Sequence, residues 1–180
     1  MAETPSSKYD AVAMTLHWLM AALITAVAVI GLLFDLMDRE TKLVWVNIHN
    51  CLGLAVLVLA VGRIVWRLTH RPPDLPATID AIIRKLSGPG HLVLYVLIFA
   101  VPALGALTFF PRGQPVDFSL FQIPPLMTPD RAFGRSMHGL HQIGAYILIG
   151  AVCLHVAMAL WHRLVKRDGI FGRMVPGRSI

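Results

Sequence analysis

Residues 139–162 read GLHQIGAYILIGAVCLHVAMALWH, an apolar stretch with two internal histidines, His141 and His155. The stretch contains no Asp, Glu, Lys or Arg, and about 20 apolar residues are enough to cross the hydrocarbon core of a bilayer as an α-helix. It therefore predicts a transmembrane helix that carries ionisable side chains. Such groups are costly inside a membrane and are typical of functional sites.

Three other runs also lack formal charges, at residues 11–34, 43–61 and 91–110. All ten Asp and Glu residues lie outside the four runs. We therefore predict an all-α protein, an integral membrane four-helix bundle that forms a single membrane domain over residues 1–180. The predicted spans are about 11–34, 43–66, 90–110 and 138–162.

The composition excludes an ordinary soluble domain. Hydrophobic residues make up 56% of the chain and charged residues 14%, whereas about a quarter of a soluble chain is charged. The net charge of +6 can suggest nucleic-acid binding, but the basic residues lie in short segments beside the apolar runs, which is typical of membrane topology signals. We expect the bilayer, and no nucleic acid, to be a partner.

The distribution of Lys and Arg predicts the orientation. Eleven of the sixteen lie at the N-terminus, after the second run and in the C-terminal tail, and five lie in the other two connections. The positive-inside rule then places both termini in the cytoplasm. In a bacterium this corresponds to a multi-pass protein of the inner membrane whose other face is the periplasm.

The histidines form a pattern in depth. His141 and His155 are 14 residues apart, which places them about 40° apart on one helix face and about 21 Å apart along the axis. His17 lies early in the first span, at cytoplasmic depth, and His49 lies early in the second, at external depth. The depths therefore match in two pairs, His17 with His155 and His49 with His141.

Two histidines on facing helices at one depth supply the two axial ligands of a haem b iron. Two such pairs predict two haems stacked across the membrane, with iron as the bound metal. A zinc site is the competing interpretation, but it usually needs three or four ligands converging at one depth, often with Cys or carboxylates. The separated pairs favour haem.

Other polar residues of the spans have two interpretations each. Arg63 lies 14 residues after His49, on the same helix face, where it can pair with a haem propionate or extend to the cytoplasmic interface. His91 can contact a quinone or the surroundings of a haem, or pack at a helix start. His162 can contact a propionate or a quinone, or be an exposed interfacial histidine. His138 lies about 100° away from His155 around the helix and is interpreted as interfacial.

Several motifs resemble the bacterial cytochrome b561 family of di-haem, quinone-linked membrane cytochromes, and within it the superoxide oxidase type. The resemblance covers about residues 9–176. The motifs are TLHWLM at 15–20, NIHNCLG at 47–53, the second-helix residues Arg63 and Arg67, GHLVLYVLIFAVPALG at 90–105, and residues 139–162. The family pattern implies the ligand pairs His17–His155 and His49–His141.

The resemblance implies a superoxide:ubiquinone oxidoreductase that oxidises superoxide to O2 at the external face and reduces ubiquinone to ubiquinol. Four cations of the external connections can steer the superoxide anion there; they are Lys42, Arg112, Arg131 and Arg135.

The alternative is a haem b anchor or relay subunit. It passes electrons between quinol and a docked hydrogenase- or dehydrogenase-type partner or a periplasmic cytochrome. A docking surface within residues 111–137 would favour it. We expect the aromatic and proline-rich part of that segment to lie in the interface or to cap the bundle.

Overall fold

The four apolar runs lie in four long helices of the computed structural model, which describes residues 8–75, 79–113 and 115–177. All four helices are long and apolar enough to cross a membrane. Helix α1 packs on α2, α2 on α3, and α3 on α4. The helix bounds are α1 Ala11–Leu33, α2 Arg39–Thr69, α3 Ala81–Phe109 and α4 Arg131–Trp161.

Aspartates define where three of the helices begin. The carboxylate of Asp10 accepts a hydrogen bond from the Ala13 N–H, and Asp38 and Asp130 accept hydrogen bonds from backbone N–H groups in the first turns of α2 and α4. These caps satisfy N–H groups that have no partner within the helix. Hydrogen bonding from the Thr41 N–H holds the pKa of Asp38 below its usual range, so the cap stays ionised at neutral pH.

Helix α3 begins earlier than its apolar run. From its prolines and glycines the sequence predicts a loop over residues 71–90 with a short helix around Ile79–Lys85, but α3 starts at Ala81 and continues through Gly88, Pro89 and Gly90. Pro89 removes one backbone hydrogen bond without ending the helix. Within the predicted loop, residues 76–78 lie outside the described part of the chain.

The connection between α3 and α4 contains a small antiparallel hairpin, β1 Val116–Asp117 and β2 Gln122–Ile123. Val116 packs the hairpin onto the bundle, because it is fully buried against Phe109 and Phe110 at the end of α3. The sequence predicts no regular structure for this segment.

The first and last residues that the structure describes lie at one end of the bundle. The C-terminal segment after α4 returns to the start of α1, where the Tyr9 N–H donates to the Arg173 carbonyl at 3.2 Å and the Trp18 indole donates to the Met174 carbonyl at 2.7 Å. We call this the termini end, and the end that carries the β1–β2 hairpin the hairpin end.

Candidate functional site

Two histidines face each other at the hairpin end. The imidazole of His49 on α2 and that of His141 on α4 have ring centres 6.1 Å apart, and their planes are nearly perpendicular. Both side chains are half-buried. Within the described residues, α4 makes few close backbone contacts with α2 or α1, so the side chains bridge a gap between these helices.

Each of these imidazoles is fixed by a backbone carbonyl of a neighbouring helix. The Nδ1 of His49 lies 3.1 Å from the Val27 carbonyl of α1, and the Nδ1 of His141 lies 2.9 Å from the Val101 carbonyl of α3. A carbonyl can only accept, so each Nδ1 carries the proton and each Nε2 keeps its lone pair. Metal-binding histidines are typically oriented in this way.

A glycine gives each imidazole access to its carbonyl. Gly31 follows Val27 by four residues, and Gly105 follows Val101 by four. A Cβ on Gly31 would lie 3.2 Å from Cε1 of His49, and a Cβ on Gly105 would lie 3.2 Å from Cε1 of His141. We call these two arrangements the glycine notches, because in each the missing side chain leaves the space that the imidazole occupies.

Three histidines meet at the termini end. The ring centres of His17 on α1 and His155 on α4 are 6.2 Å apart, and His91 of α3 lies 5.7 Å from His155. The Nδ1 of His91 donates to the Ser87 carbonyl one turn earlier, at 2.6 Å. The structure therefore places His91 beside the His17–His155 pair.

Arg63 reaches the same group of side chains. Its Nη2 lies 3.1 Å from the Nδ1 of His17, and its Nε donates to the hydroxyl of Tyr95 at 3.4 Å. The guanidinium also lies 5.6 Å from the Tyr95 ring centre. Arg63 and Tyr95 line a small cleft at the termini end, together with Arg67, Arg71 and Asp10, so three of the four formally charged groups that line it are cationic.

His162 is only 5% exposed and is not the exposed interfacial histidine that one interpretation of the sequence predicts. It begins a short π-helical turn, His162–Lys166, that follows α4. Its Nδ1 lies 2.5 Å from the carboxylate of Asp168. The π turn and the chain reversal at Arg167, which adopts a left-handed conformation, bring this pair together.

The four cations predicted at the external face lie at the hairpin end, but they are spread over different elements and Lys42 is paired with an acid. Lys42 forms an ion pair with Asp35 at 3.6 Å. Arg131 is the first residue of α4 and Arg135 lies one turn later, both exposed. Arg112 ends a short 3₁₀ helix, Phe110–Arg112, that follows α3.

The spacing of the two pairs fits iron ligation by two imidazoles. A five-membered ring with C–N bonds of about 1.33 Å has its atoms about 1.1 Å from its centre, and a metal–imidazole bond is about 2 Å long. Two ligands on opposite sides of one iron therefore have ring centres about 6 Å apart, close to the 6.1 Å and 6.2 Å of the two pairs. In the described part of the chain, the three histidines of the termini end included, no three His, Cys, Asp or Glu side chains are arranged so that they could together hold a metal ion.

Sequence reasoning did not identify the glycine notches, Tyr95 or Asp168. A glycine inside an apolar helix often marks a place where another group closely approaches the backbone. The available signal for the notches was therefore Gly31 and Gly105 themselves, each followed by a histidine on a later helix. Tyr95 and Asp168 carried no such signal, because their partners Arg63 and His162 become neighbours only in the folded chain.

Comparison with known proteins gives the family. A sequence model described as prokaryotic cytochrome b561 matches residues 8–177. Cytochrome b561 homolog 2 of Escherichia coli K12 is 26% identical over 177 residues, covering 96% of this chain and 93% of the relative. A probable superoxide oxidase, CybB, of Yersinia pestis is 27% identical, covering 94% and 96%. A cytochrome b562 of Cereibacter sphaeroides is 29% identical, covering 97% and 99%.

The family match covers nearly the whole chain and includes the four helices and all the histidines described above. Members of this family are membrane electron-transfer proteins that bind haem b. The protein is therefore a multi-pass membrane protein of the prokaryotic cytochrome b561 family.

Proposed function

We propose that the protein binds two haem b groups, one between His49 and His141 and one between His17 and His155. The observation that carries this proposal is the spacing of the two pairs, 6.1 Å and 6.2 Å between ring centres. The protonated Nδ1 of His49 and of His141 leaves Nε2 of each free for iron. Because two imidazoles would hold each haem, the group would supply electron transfer rather than O2 binding.

Arg63 has a defined part in the second site. In the structure Arg63 donates a hydrogen bond to Nδ1 of His17, so the proton of that imidazole is on Nε2. For Nε2 to bind iron, this proton would have to leave Nε2, and the guanidinium of Arg63 would need another acceptor. A carboxylate is the acceptor that arginine binds most strongly, so we expect Arg63, held by Tyr95, to bind a haem propionate.

The proposed reaction is the oxidation of superoxide coupled to reduction of ubiquinone. Two superoxide anions lose one electron each and become O2, and ubiquinone takes up two electrons and two protons to become ubiquinol. Bound haem supplies one-electron transfer between the two sites, about 21 Å apart along α4. The probable superoxide oxidase among the relatives supports this activity, and so do the cations of the hairpin end.

The orientation follows from charge. Most Lys and Arg residues lie at the termini end, so we propose that both termini face the cytoplasm and that superoxide reacts at the hairpin end, in the inner membrane. His91, which lies beside the proposed ligand His155, and the buried His162–Asp168 pair are proposed contacts for quinone or propionate. Both lie at the termini end.

Replacing either external ligand tests the ligand assignment. We expect His49→Ala and His141→Ala each to lower the haem b content from two per chain to one. The matched control is His138→Ala, on α4 one turn before His141 and exposed, which should retain both haems. Two haems in His141→Ala would contradict the pairing.

Removing the external cations tests the substrate. We expect Lys42→Ala/Arg112→Ala to lower the rate of superoxide-driven ubiquinone reduction, because fewer cations then attract the superoxide anion. The rate should also depend less on salt, because salt weakens that attraction by screening and less of it is left. Lys85→Ala/Arg167→Ala, at the termini end, is the control. An unchanged rate and salt dependence in the first variant would contradict steering.

The relay subunit is a second candidate because the hairpin end exposes large apolar side chains, and a protein rather than a lipid cover of those side chains would support it. Copurification of a redox partner with the intact protein, together with loss of electron transfer when that partner is removed, would favour this candidate over the oxidase.

A further inference from the structure

The β1–β2 hairpin is fixed to the side of α2. The amide of Asn47 donates to the Asp117 carbonyl at 2.7 Å and its oxygen accepts from the Asp117 N–H at 3.1 Å. The thiol of Cys51 donates to the same carbonyl at 3.2 Å. The Asn47 side chain thus makes the pair of hydrogen bonds to the outer edge of β1 that a neighbouring strand would otherwise make.

The turn of the hairpin also satisfies its own polar groups. The Asp117 carboxylate accepts from the Ser119 N–H at 2.7 Å and from the Gln122 amide at 3.2 Å. The Phe118 N–H donates to the Phe121 carbonyl at 3.0 Å. These bonds give three backbone groups of the turn, the N–H groups of Phe118 and Ser119 and the carbonyl of Phe121, a partner within the hairpin.

The tip of the hairpin and the segment after it expose large apolar side chains. Leu120 is 95% exposed, Phe121 59% and Leu126 67%, and the rings of Phe118 and Phe121 are stacked with centres 4.8 Å apart. Residues 118–129 contain no charged side chain. We call residues 118–127 the apolar tip. An exposed apolar patch of this kind marks a contact with lipid or protein.

The depth of the anchor favours lipid. Asn47 and Cys51 follow the start of α2 at Arg39 by about 12 Å and 18 Å along the helix axis. The proposed haem ligand His49 lies between them in the sequence. The base of the hairpin at Asp117 therefore lies beside the first turns of the uncharged part of α2, close to the level of His49.

We propose that the apolar tip inserts its side chains into the interfacial region of the leaflet at the hairpin end, where lipid covers them. The exposed apolar side chains of the tip, its lack of charge and the hydrogen bonds within its turn support this placement. A docked redox partner usually adds complementary charges at the contact, and residues 118–129 provide none. This inference stands independently of the number of haems.

Collision accessibility of a nitroxide label tests the insertion. Leu120→Cys is made in a Cys51→Ser/Cys153→Ala background, in which the introduced serine hydroxyl retains a hydrogen-bond donor to the hairpin, and the labelled protein is placed in phospholipid nanodiscs. Val58→Cys, on the exposed middle of α2, is the reference for lipid. Glu40→Cys, exposed at the start of α2 at the hairpin end, is the reference for water. Accessibility to O2 and to a water-soluble nickel complex is measured at each position.

We expect the Leu120 label to gain O2 accessibility and lose nickel accessibility relative to the Glu40 label, approaching the Val58 label. Nickel accessibility equal to that at Glu40 would overturn the proposal, because the tip would then lie in water. Shielding from both reagents would overturn it as well, because the tip would then be covered by protein. Retention of haem in each labelled variant shows that it has folded.

Discussion

Gly105→Ala tests whether the glycine notches position the haem ligands. The added Cβ would lie 3.2 Å from Cε1 and 3.3 Å from Nδ1 of His141, whereas carbon atoms pack best at about 3.5–4.0 Å. The ring must therefore move by a few tenths of an ångström, away from the Val101 carbonyl that orients it. Overpacking of this kind costs about 1–3 kcal/mol, which corresponds to about 5–150-fold weaker binding of the external haem.

The direction of the change distinguishes an effect on the haem site from an effect on helix stability. Alanine is favoured over glycine in a helix by about 1 kcal/mol, so a helix without a special role for Gly105 would be stabilised by the substitution. Gly150→Ala is the matched control, because Gly150 lies on α4 about 180° away from His141 and a Cβ there meets nothing within 4 Å.

The assay is haem titration of the apoprotein followed by absorption spectroscopy, with the haem b content counted per chain. We expect Gly105→Ala to bind the external haem more weakly and Gly150→Ala to behave as the parent protein does. Equal haem affinity and equal spectra in the two variants would refute the positioning role of the notch.

Three further substitutions test contacts outside the proposed haem ligands. Asn47→Ala removes two hydrogen bonds to the hairpin and should lower the free energy of unfolding by about 1–3 kcal/mol, measured by thermal denaturation in detergent; an unchanged midpoint would contradict the anchoring role. The hydrogen bond and charge of Lys166 hold the pKa of Asp80 below its usual range, so this stabilisation is present at neutral pH and is lost as the pH falls below about 4. Asp80→Asn should therefore lose less stability on acidification than the parent protein, and identical acid profiles would contradict the pairing. Asp35→Asn removes the acid that pairs with Lys42 and should raise the rate of superoxide oxidation at low salt, whereas a lower rate would count against steering.

The four helices were predictable because their cause is local. Long uncharged runs identify helices that can span a membrane, and each run lies within a helix of the structure to within one residue at its C-terminal end. The helix starts were harder to predict from the sequence, because α2 and α4 begin in charged segments at Arg39 and Arg131, where hydropathy gives no signal. The aspartates before them provide the local signal, through capping of the first turn.

The relative placement of the histidines was predictable because helix geometry converts sequence spacing into depth and direction. The hydrogen bonds that orient them were not. The carbonyls of Val27 and Val101 belong to other helices, and every residue has a carbonyl, so the sequence does not distinguish the one that accepts. The hairpin is a similar case, because its anchor is an asparagine on α2 about 70 residues away.

The haem b content of the purified protein is the most direct test of the proposed function. A pyridine haemochrome assay with reduced-minus-oxidised spectra, on protein expressed with an adequate haem supply, counts haem b per chain. We expect two per chain, falling to one in His141→Ala. A folded preparation that binds no haem, or the same number in the parent protein and in His141→Ala, would contradict the assignment of the paired histidines as ligands.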